Sequence, residues 1–254
     1  WKMRYSAMQN VTLNLPRIAY EAHQDDARLI DILKERLDII AHAHLQKKEF
    51  ISKLLAMGKQ GPLALLTMEL DGEPYYRLHK ASFLIGMVGL NEMVQYHTGK
   101  QMRESKEATK FGLKVIAEMK KEAEFLGEQY GIRMPLEQTP AESTAYRFAK
   151  LDTKYYPLQA PTVIRGNRNT GEIYYTNSTY LNVGAPISAI ERTKMEGVFH
   201  PLIDAGALTH VWLGEHKPAP ESIASFVRKT FESTQNAQIA FSPEFTSCLS
   251  CGKT

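Results

Sequence analysis

Apolar and polar residues alternate over residues 9–15, with Val11, Leu13 and Leu15 on one side and Thr12 and Asn14 on the other. That period predicts a short strand. Pro16 ends it, because proline has no N–H for the ladder, and Asn14 then sits at the strand's carboxyl end. Over residues 25–57 the period becomes helical: Asp25 or Asp26 can cap the start, Leu29, Leu33, Leu37 and Ile40 share a face, and Gly58 is a C-terminal stop. His42 and His44 have no carboxylate or cysteine at ligand spacing, so they read as surface or groove histidines rather than metal ligands. Residues 61–77, with Pro62, Gly72 and Pro74, suit a loop with one short strand. Residues 81–96 read as a buried helix closed by His97-Thr98-Gly99, and Glu92 within it is expected to be paired rather than catalytic.

A second long amphipathic helix is expected over residues 104–130, with Ala108, Phe111, Val115 and Met119 inward and lysines and glutamates outward. Residues 131–135 break it. Thr139, Pro140 and Glu142 then match an N-cap, N1 and N3 set before a helical AYRFAKLD. A hydroxyl-rich helix start can hold phosphate, and equally can be plain capping, the commoner use. After a loop over 157–169, residues 173–176 suit a strand, with Asn177, Ser178 and Thr179 at its end and Asn182, Gly184 and Pro186 in the loop beyond. Strand ends of this kind bind ligands in α/β folds, although small polar residues also satisfy turns of their own. A helix over 190–200, a strand within 205–213, a helix over 222–231 and a strand over 237–241 complete a β–α–α–α–β–α–β–α–β order. This order predicts an α/β barrel or sheet with helices outside.

The 254 residues suffice for one large domain, and 43% hydrophobic with 23% charged residues is ordinary for a globular chain. A net charge of +3 is too mild to imply nucleic-acid binding and leaves room for an anionic small molecule. The longest apolar run, residues 81–90, is about half a membrane span, so no membrane partner is expected. With two cysteines there is no disulfide scaffold, and a reducing cytoplasm is the expected location. No signal peptide is visible, and both ends look cut, as in a piece of a longer polypeptide.

Cys248 and Cys251 form a Cys-x-x-Cys-Gly knuckle whose spacing lets two thiolates hold one zinc. A structural zinc needs four ligands, so half of a zinc ribbon is expected. A thioredoxin-like pair is the alternative, but that motif opens a helix near the start of its domain.

Five blocks now stand in order: QNVTLNLPRIAYEA, EQTPAESTAYRFAKLD, YYTNSTYLNV, GALTHVWLGE and FSPEFTSCLSCGKT. Together they resemble the catalytic domain of the class III, anaerobic ribonucleotide reductases, over essentially the whole chain. The resemblance implies an α/β fold, part of a ten-stranded barrel of the glycyl-radical type, in residues 1–244, with the first half of a zinc ribbon in 245–254. It implies reduction of ribonucleoside triphosphates to 2′-deoxyribonucleotides by thiyl chemistry, a glycyl radical installed by an S-adenosylmethionine/iron–sulfur activating enzyme, formate or a thiol protein as reductant, and a homodimer. By motif, Asn14 would position the ribose or reductant. Thr139, Ala141, Glu142 and Ser143 would hold phosphates, Asn177 and Ser178 would contact the sugar, and Cys248 and Cys251 would bind zinc. Asn14, Asn177 and Thr139 should then share one cavity.

The departures are as informative. The family's thiyl-forming cysteine should precede the NLPRI strand, and its radical glycine should follow a second cysteine pair; neither stands in these residues. The 254 residues are therefore expected not to turn over alone. Two other readings are another glycyl-radical enzyme, against which the zinc pattern argues, and a catalytically inactive nucleotide-binding or regulatory module of the same fold.

Overall fold

The structure, a computed structural model, describes residues 6–70, 72–243 and 251. β1 (Ala7–Asn14) ends where proline requires, but Leu15 is not part of it. Leu15 opens α1 (Leu15–Ala22), and the Asn14 side chain is its N-cap, accepting from the Arg17 N–H at 3.4 Å. α2 (Asp26–Ala56) is capped by Asp25, which accepts from the Arg28 N–H at 3.0 Å, and buries Leu29, Leu33, Leu37 and Ile40 as the period demands. His42 is exposed, whereas His44 is fully buried beside the Phe83 ring, correcting the expectation for that residue. It lies four residues beyond Ile40, on the same apolar stripe. A two-residue hairpin, β2 (Glu69–Leu70) and β3 (Glu73–Pro74), follows.

The largest departure concerns residues 81–96. In place of one helix, the chain forms β4 (Ser82–Val88), turns at Gly89 in the left-handed region (φ 82°), and enters α3 (Leu90–Thr98). A strand buried on both faces has no alternation, so its apolar run cannot be told from a buried helix by period alone. Gly86 marks a close approach within this strand. A Cβ at that position would stand 2.2 Å from the Thr139 hydroxyl and 2.6 Å from the Asn10 carbonyl oxygen, so the sheet needs bare backbone there.

α4 (Lys106–Tyr130) starts from a Ser105 cap and ends at Gly131, again left-handed. β5 (Leu136–Glu137) then joins a parallel sheet of order β1-β4-β5. Leu13, Phe83, Ile85 and Met87 face α2 and α4 in one core. On the opposite face a polar patch of Asn10, Thr12, Glu137 and Thr139 lies over Gly86, between the apolar Leu84 and Val88 of β4, with Asn10 donating to both Glu137 and Thr139.

α5 (Glu142–Tyr155) packs Ala145 and Ala149 against Ile173 and Tyr175 in a second core that reaches Tyr20 and Val88. β6 (Arg165–Asn167) and β7 (Glu172–Tyr174) form a hairpin. α6 (Ala189–Gly197), β8 (Thr209–Gly214), α7 (Pro220–Ser233) and β9 (Ile239–Pro243) follow, close to the expected positions, with β8 and β9 paired in parallel. Among the described residues the strands make four separate sheets, so the α/β class holds without a closed ring. The parallel sheet is joined to the segment entering β8 by backbone bonds from the Ala205 N–H to the Leu136 carbonyl and from the Gln138 N–H to the Gly206 carbonyl, and the Gln138 side chain reinforces the junction. Its Nε2 donates to the Thr179 hydroxyl at 2.7 Å, and its Oε1 accepts from the Leu208 N–H at 2.7 Å. No described helix is long and apolar enough to cross a membrane. Cys248 and the rest of the cysteine tail lie outside the described residues, apart from Cys251, which is exposed.

Candidate active site at the strand tips

Val88, the last residue of β4, is the registration point of the site. Asn14 of β1 is its parallel partner, and Asn177 meets it from the other side through an antiparallel bridge. The two asparagines therefore flank one strand end, where an α/β fold presents its ligand-binding groups.

The loop that carries Asn177 is held from below by Glu92. This fully buried carboxylate accepts from the Thr176 N–H at 2.9 Å, the Thr176 hydroxyl at 2.8 Å and Arg165 Nε at 3.0 Å, so it is paired as expected. Ser178 is also fully buried, with a left-handed φ of 45°, and its hydroxyl donates within reach of the Met87 and Thr139 carbonyls. It shapes the turn and is turned away from solvent.

Asn177 and Glu142 line a cavity of about 1000 Å³ together with Gln138, Tyr180, His210 and Trp212. The Asn177 Nδ2 donates to Glu142 at 3.5 Å, and its Oδ1 is buried without a hydrogen bond among the described residues. Asn14 and Thr139 are not among the residues that line this cavity, contrary to the expectation of one shared chamber. The Asn14 amide is drawn to Asp152, and the Thr139 side chain lies on the polar face of the sheet with Asn10 and Glu137.

The expected Thr139 cap is corrected as well. α5 begins at Glu142 with Ala141 at the N-cap position and no side-chain capping bond, which places Glu142 at N1 rather than N3. The first-turn N–H groups of Glu142 and Ser143 therefore have no side-chain cap, and both residues are exposed. Ala141 itself is buried in the second core.

Three arrangements were missed in the sequence. Asp152, fully buried on α5, accepts from Asn14 Nδ2 at 2.8 Å, Tyr175 Oη at 3.0 Å and Arg17 Nε at 2.8 Å, while the Tyr20 and Tyr175 hydroxyls lie 2.9 Å apart. Burial, then the neighbouring charge at Tyr20 and Asp152, pushes the Tyr175 phenol far up, so it keeps its proton. Next, Arg192 ties the loop after Asn177 to α6, donating to the carbonyls of Leu181, Asn182 and Val183 and pairing with Glu196 at 2.9 Å. Burial pushes the Glu196 carboxyl up to about 7, against the pull of Arg192. Finally, His210 and Trp212 stack on the cavity wall, their ring centroids 4.1 Å apart. A signal existed for the first two: Asp152 follows Ala145 and Ala149 on the apolar row of α5, and Arg192 and Glu196 stand at i, i+4.

A parallel sheet backed by helices, with polar amides at its strand tips and an uncapped helix start beside a cavity, defines an α/β protein, the class in which strand ends are where ligands are commonly presented. The chain matches the family model described as anaerobic ribonucleoside-triphosphate reductase over residues 2–254. It belongs to that family. Among curated relatives, the anaerobic ribonucleoside-triphosphate reductase of Escherichia coli K12 is 26% identical over 209 residues, covering 79% of this chain and 28% of the relative. That of enterobacteria phage T4 is 24% identical over 217 residues, covering 82% and 33%. The chain thus spans about a third of these relatives. A solved anaerobic ribonucleotide reductase superposes with a TM-score of 0.79 at 22% identity, over 98% of this chain and 39% of that one. The Thermotoga maritima enzyme in complex with dATP and CTP gives 0.77 at 21%, over 98% and 41%. These structures share the fold.

Proposed function

We propose that this chain is the substrate-binding part of an anaerobic ribonucleoside-triphosphate reductase, a portion of its ten-stranded catalytic barrel (residues 1–244) followed by half of a zinc ribbon (residues 245–254). The observation that carries this reading is the pair of asparagines flanking Val88, with the uncapped start of α5 beside the cavity that one of them lines. The ribose, or the reductant that attacks it, lies at the strand tips against Asn14 and Asn177. The phosphates are received by the turn from Thr139 to Ser143, chiefly through the first-turn N–H groups of Glu142 and Ser143, where the helix dipole favours negative charge. Ser178 acts indirectly, by setting the turn that presents Asn177. A cavity of about 1000 Å³ is large enough for a nucleotide.

This chain's own part in the reaction is to bind and orient. Amides at strand ends give ribose hydroxyls directional partners, and the aromatic wall excludes water. Radical initiation requires a cysteine and a glycine that these residues do not supply, since the only cysteines are Cys248 and Cys251. Those two suit zinc by spacing, and the exposed Cys251 is accessible to a metal shared with further ligands. The glycyl radical would be installed by an S-adenosylmethionine/iron–sulfur activating enzyme, formate or a thiol protein would be the reductant, and the enzyme would be a cytoplasmic homodimer.

Titration of the chain with CTP, read by calorimetry, tests the reading. Saturable binding is expected, weakened by Asn177→Ala, with no deoxyribonucleotide formed under reducing anaerobic conditions. Absence of binding by a chain whose circular dichroism shows it folded would overturn the nucleotide site, and turnover would overturn the expected inactivity.

A further inference from the structure

We propose that Asp152 is a positioning residue for the nucleotide: it fixes which end of the Asn14 amide faces the strand tip, and it locks that tip to the helix whose first turn receives the phosphates. This deepens the proposed function and rests on its assignment of Asn14.

The argument starts from what a carboxylate can do. An ionised Asp152 only accepts hydrogen bonds, and with the residue fully buried its oxygens are supplied by the protein. Oδ1 takes the Arg17 guanidinium, through Nε at 2.8 Å and through its terminal nitrogen. Oδ2 takes Asn14 Nδ2 at 2.8 Å and the Tyr175 hydroxyl at 3.0 Å. Tyr175 has one proton and gives it to Asp152, so the Tyr20 hydroxyl, 2.9 Å away, donates to the Tyr175 oxygen. Every polar group around Oδ2 is thereby committed as a donor.

An asparagine amide facing water can turn end for end at little cost. Facing an obligate acceptor it cannot, because the reversed amide would set a carbonyl oxygen against a carboxylate. Asn14 is therefore held with Nδ2 on Asp152 and Oδ1 toward the first turn of α1, where its only partner among the described residues is the long 3.4 Å contact from the Arg17 N–H, which leaves the oxygen a second lone pair. The strand tip presents a carbonyl oxygen, a group suited to a hydroxyl or other donor of the ligand.

The placement of Asp152 adds the coupling. It stands on α5, as do Glu142 and Ser143, and it joins that helix to β1 through Asn14 and to the segment just after β7 through Tyr175. One rigid helix thus touches the phosphate end of the ligand with its first turn and the sugar end through its eleventh residue. Phosphate bound at one end would be felt at the Asn14 amide.

The test uses the 254-residue chain labelled with 15N and CTP as the ligand. The Asn14 side-chain amide should show one proton strongly downfield, hydrogen-bonded to a carboxylate, and inorganic tripolyphosphate alone should shift that signal. Asp152→Asn should abolish the downfield position and weaken CTP binding by roughly tenfold, the scale of one charge-assisted hydrogen bond. Asn14→Ala should weaken binding as much, and the double variant no further, because both remove the same contact. Arg17→Lys, which retains the charge but loses the fork, should leave the amide signal and the affinity within about twofold of the parent; a purely structural ion pair would instead be disturbed by it. An unshifted Asn14 amide in Asp152→Asn, or multiplicative losses in the double variant, overturns the proposal. If Asp152→Asn does not fold, Tyr175→Phe decides: with one donor removed from Oδ2, the Asn14 proton should move further downfield, and no movement overturns the coupling. Failure of the parent chain to bind CTP would count against the proposed function, while the amide signal still decides the orientation.

Discussion

Removing Glu92 should do damage although it does not line the cavity. Its carboxylate is the acceptor for the backbone N–H and hydroxyl of Thr176 and for the Arg165 guanidinium, whose side chain is only 16% exposed. In Glu92→Ala the hydroxyl can turn elsewhere, but the buried Thr176 amide is left without an acceptor and the Arg165 guanidinium loses its carboxylate, keeping only the Gln95 side-chain oxygen. Breaking a buried pair in this way costs about 3–5 kcal/mol, a large share of a typical stability of about 5–15 kcal/mol. For a chain of this size, 1 kcal/mol lowers Tm by about 2–4 °C, so a drop of roughly 6–20 °C is expected. Glu92→Gln keeps the shape and one acceptor but turns an NH2 group toward donors, and should cost about 1–3 kcal/mol. Urea unfolding followed by circular dichroism measures both, with unchanged m values expected. Because the same carboxylate holds the residue before Asn177, CTP affinity should fall alongside stability. A Glu92→Ala variant within about 0.5 kcal/mol of the parent, the range of an ordinary surface substitution, would refute the reasoning.

Three other outcomes are expected. Gly86→Ala would drive a methyl into the Thr139, Asn10 and Thr12 side chains; an overpacking cost of about 1–3 kcal/mol in urea unfolding is expected. For Glu196 the folded pKa, raised by burial to about 7, exceeds the ordinary 4.5, so the folded state binds the proton more tightly. Its contribution is full below about pH 4.5 and is lost as pH rises toward 7, on the order of 1–3 kcal/mol, and Glu196→Gln should flatten that slope. His44 runs the other way. Burial holds it down to about 4, so its contribution is present above about pH 6.5 and lost as pH falls toward 4, and His44→Leu should make the chain less sensitive to acid.

Where a face of the fold meets water, the sequence carried its mark. The Leu29, Leu33, Leu37 and Ile40 stripe of α2 and the Val115 and Met119 stripe of α4 are buried where their period requires. β4 was hidden for the opposite reason, since a strand with apolar residues on both sides has no alternation to show. The start of α5 was misplaced because Thr-Pro-Ala-Glu satisfies a capping pattern locally, while tertiary contacts to Asn10 and Glu137 take the Thr139 hydroxyl away. Asn14 was legible as a strand end, and Asn177 as a loop residue. Their common neighbour Val88 was not, because it lies within the segment read as helix. Asp152 could have been found: an acid on the alanine row of α5 must meet a partner, although nothing local says that the partner is Asn14.

Gln138 marks a seam. Two backbone bonds, from the Ala205 N–H to the Leu136 carbonyl at 2.9 Å and from the Gln138 N–H to the Gly206 carbonyl at 3.0 Å, stitch the edge of the three-stranded sheet to the segment entering β8, and the Gln138 side chain adds Thr179 and Leu208. Main-chain and side-chain bonds at one seam resist parting together. The wall bearing the stacked His210 and Trp212 is therefore moored to the sheet bearing Asn14, so the width of the chamber is set where these two pieces of backbone are sewn together.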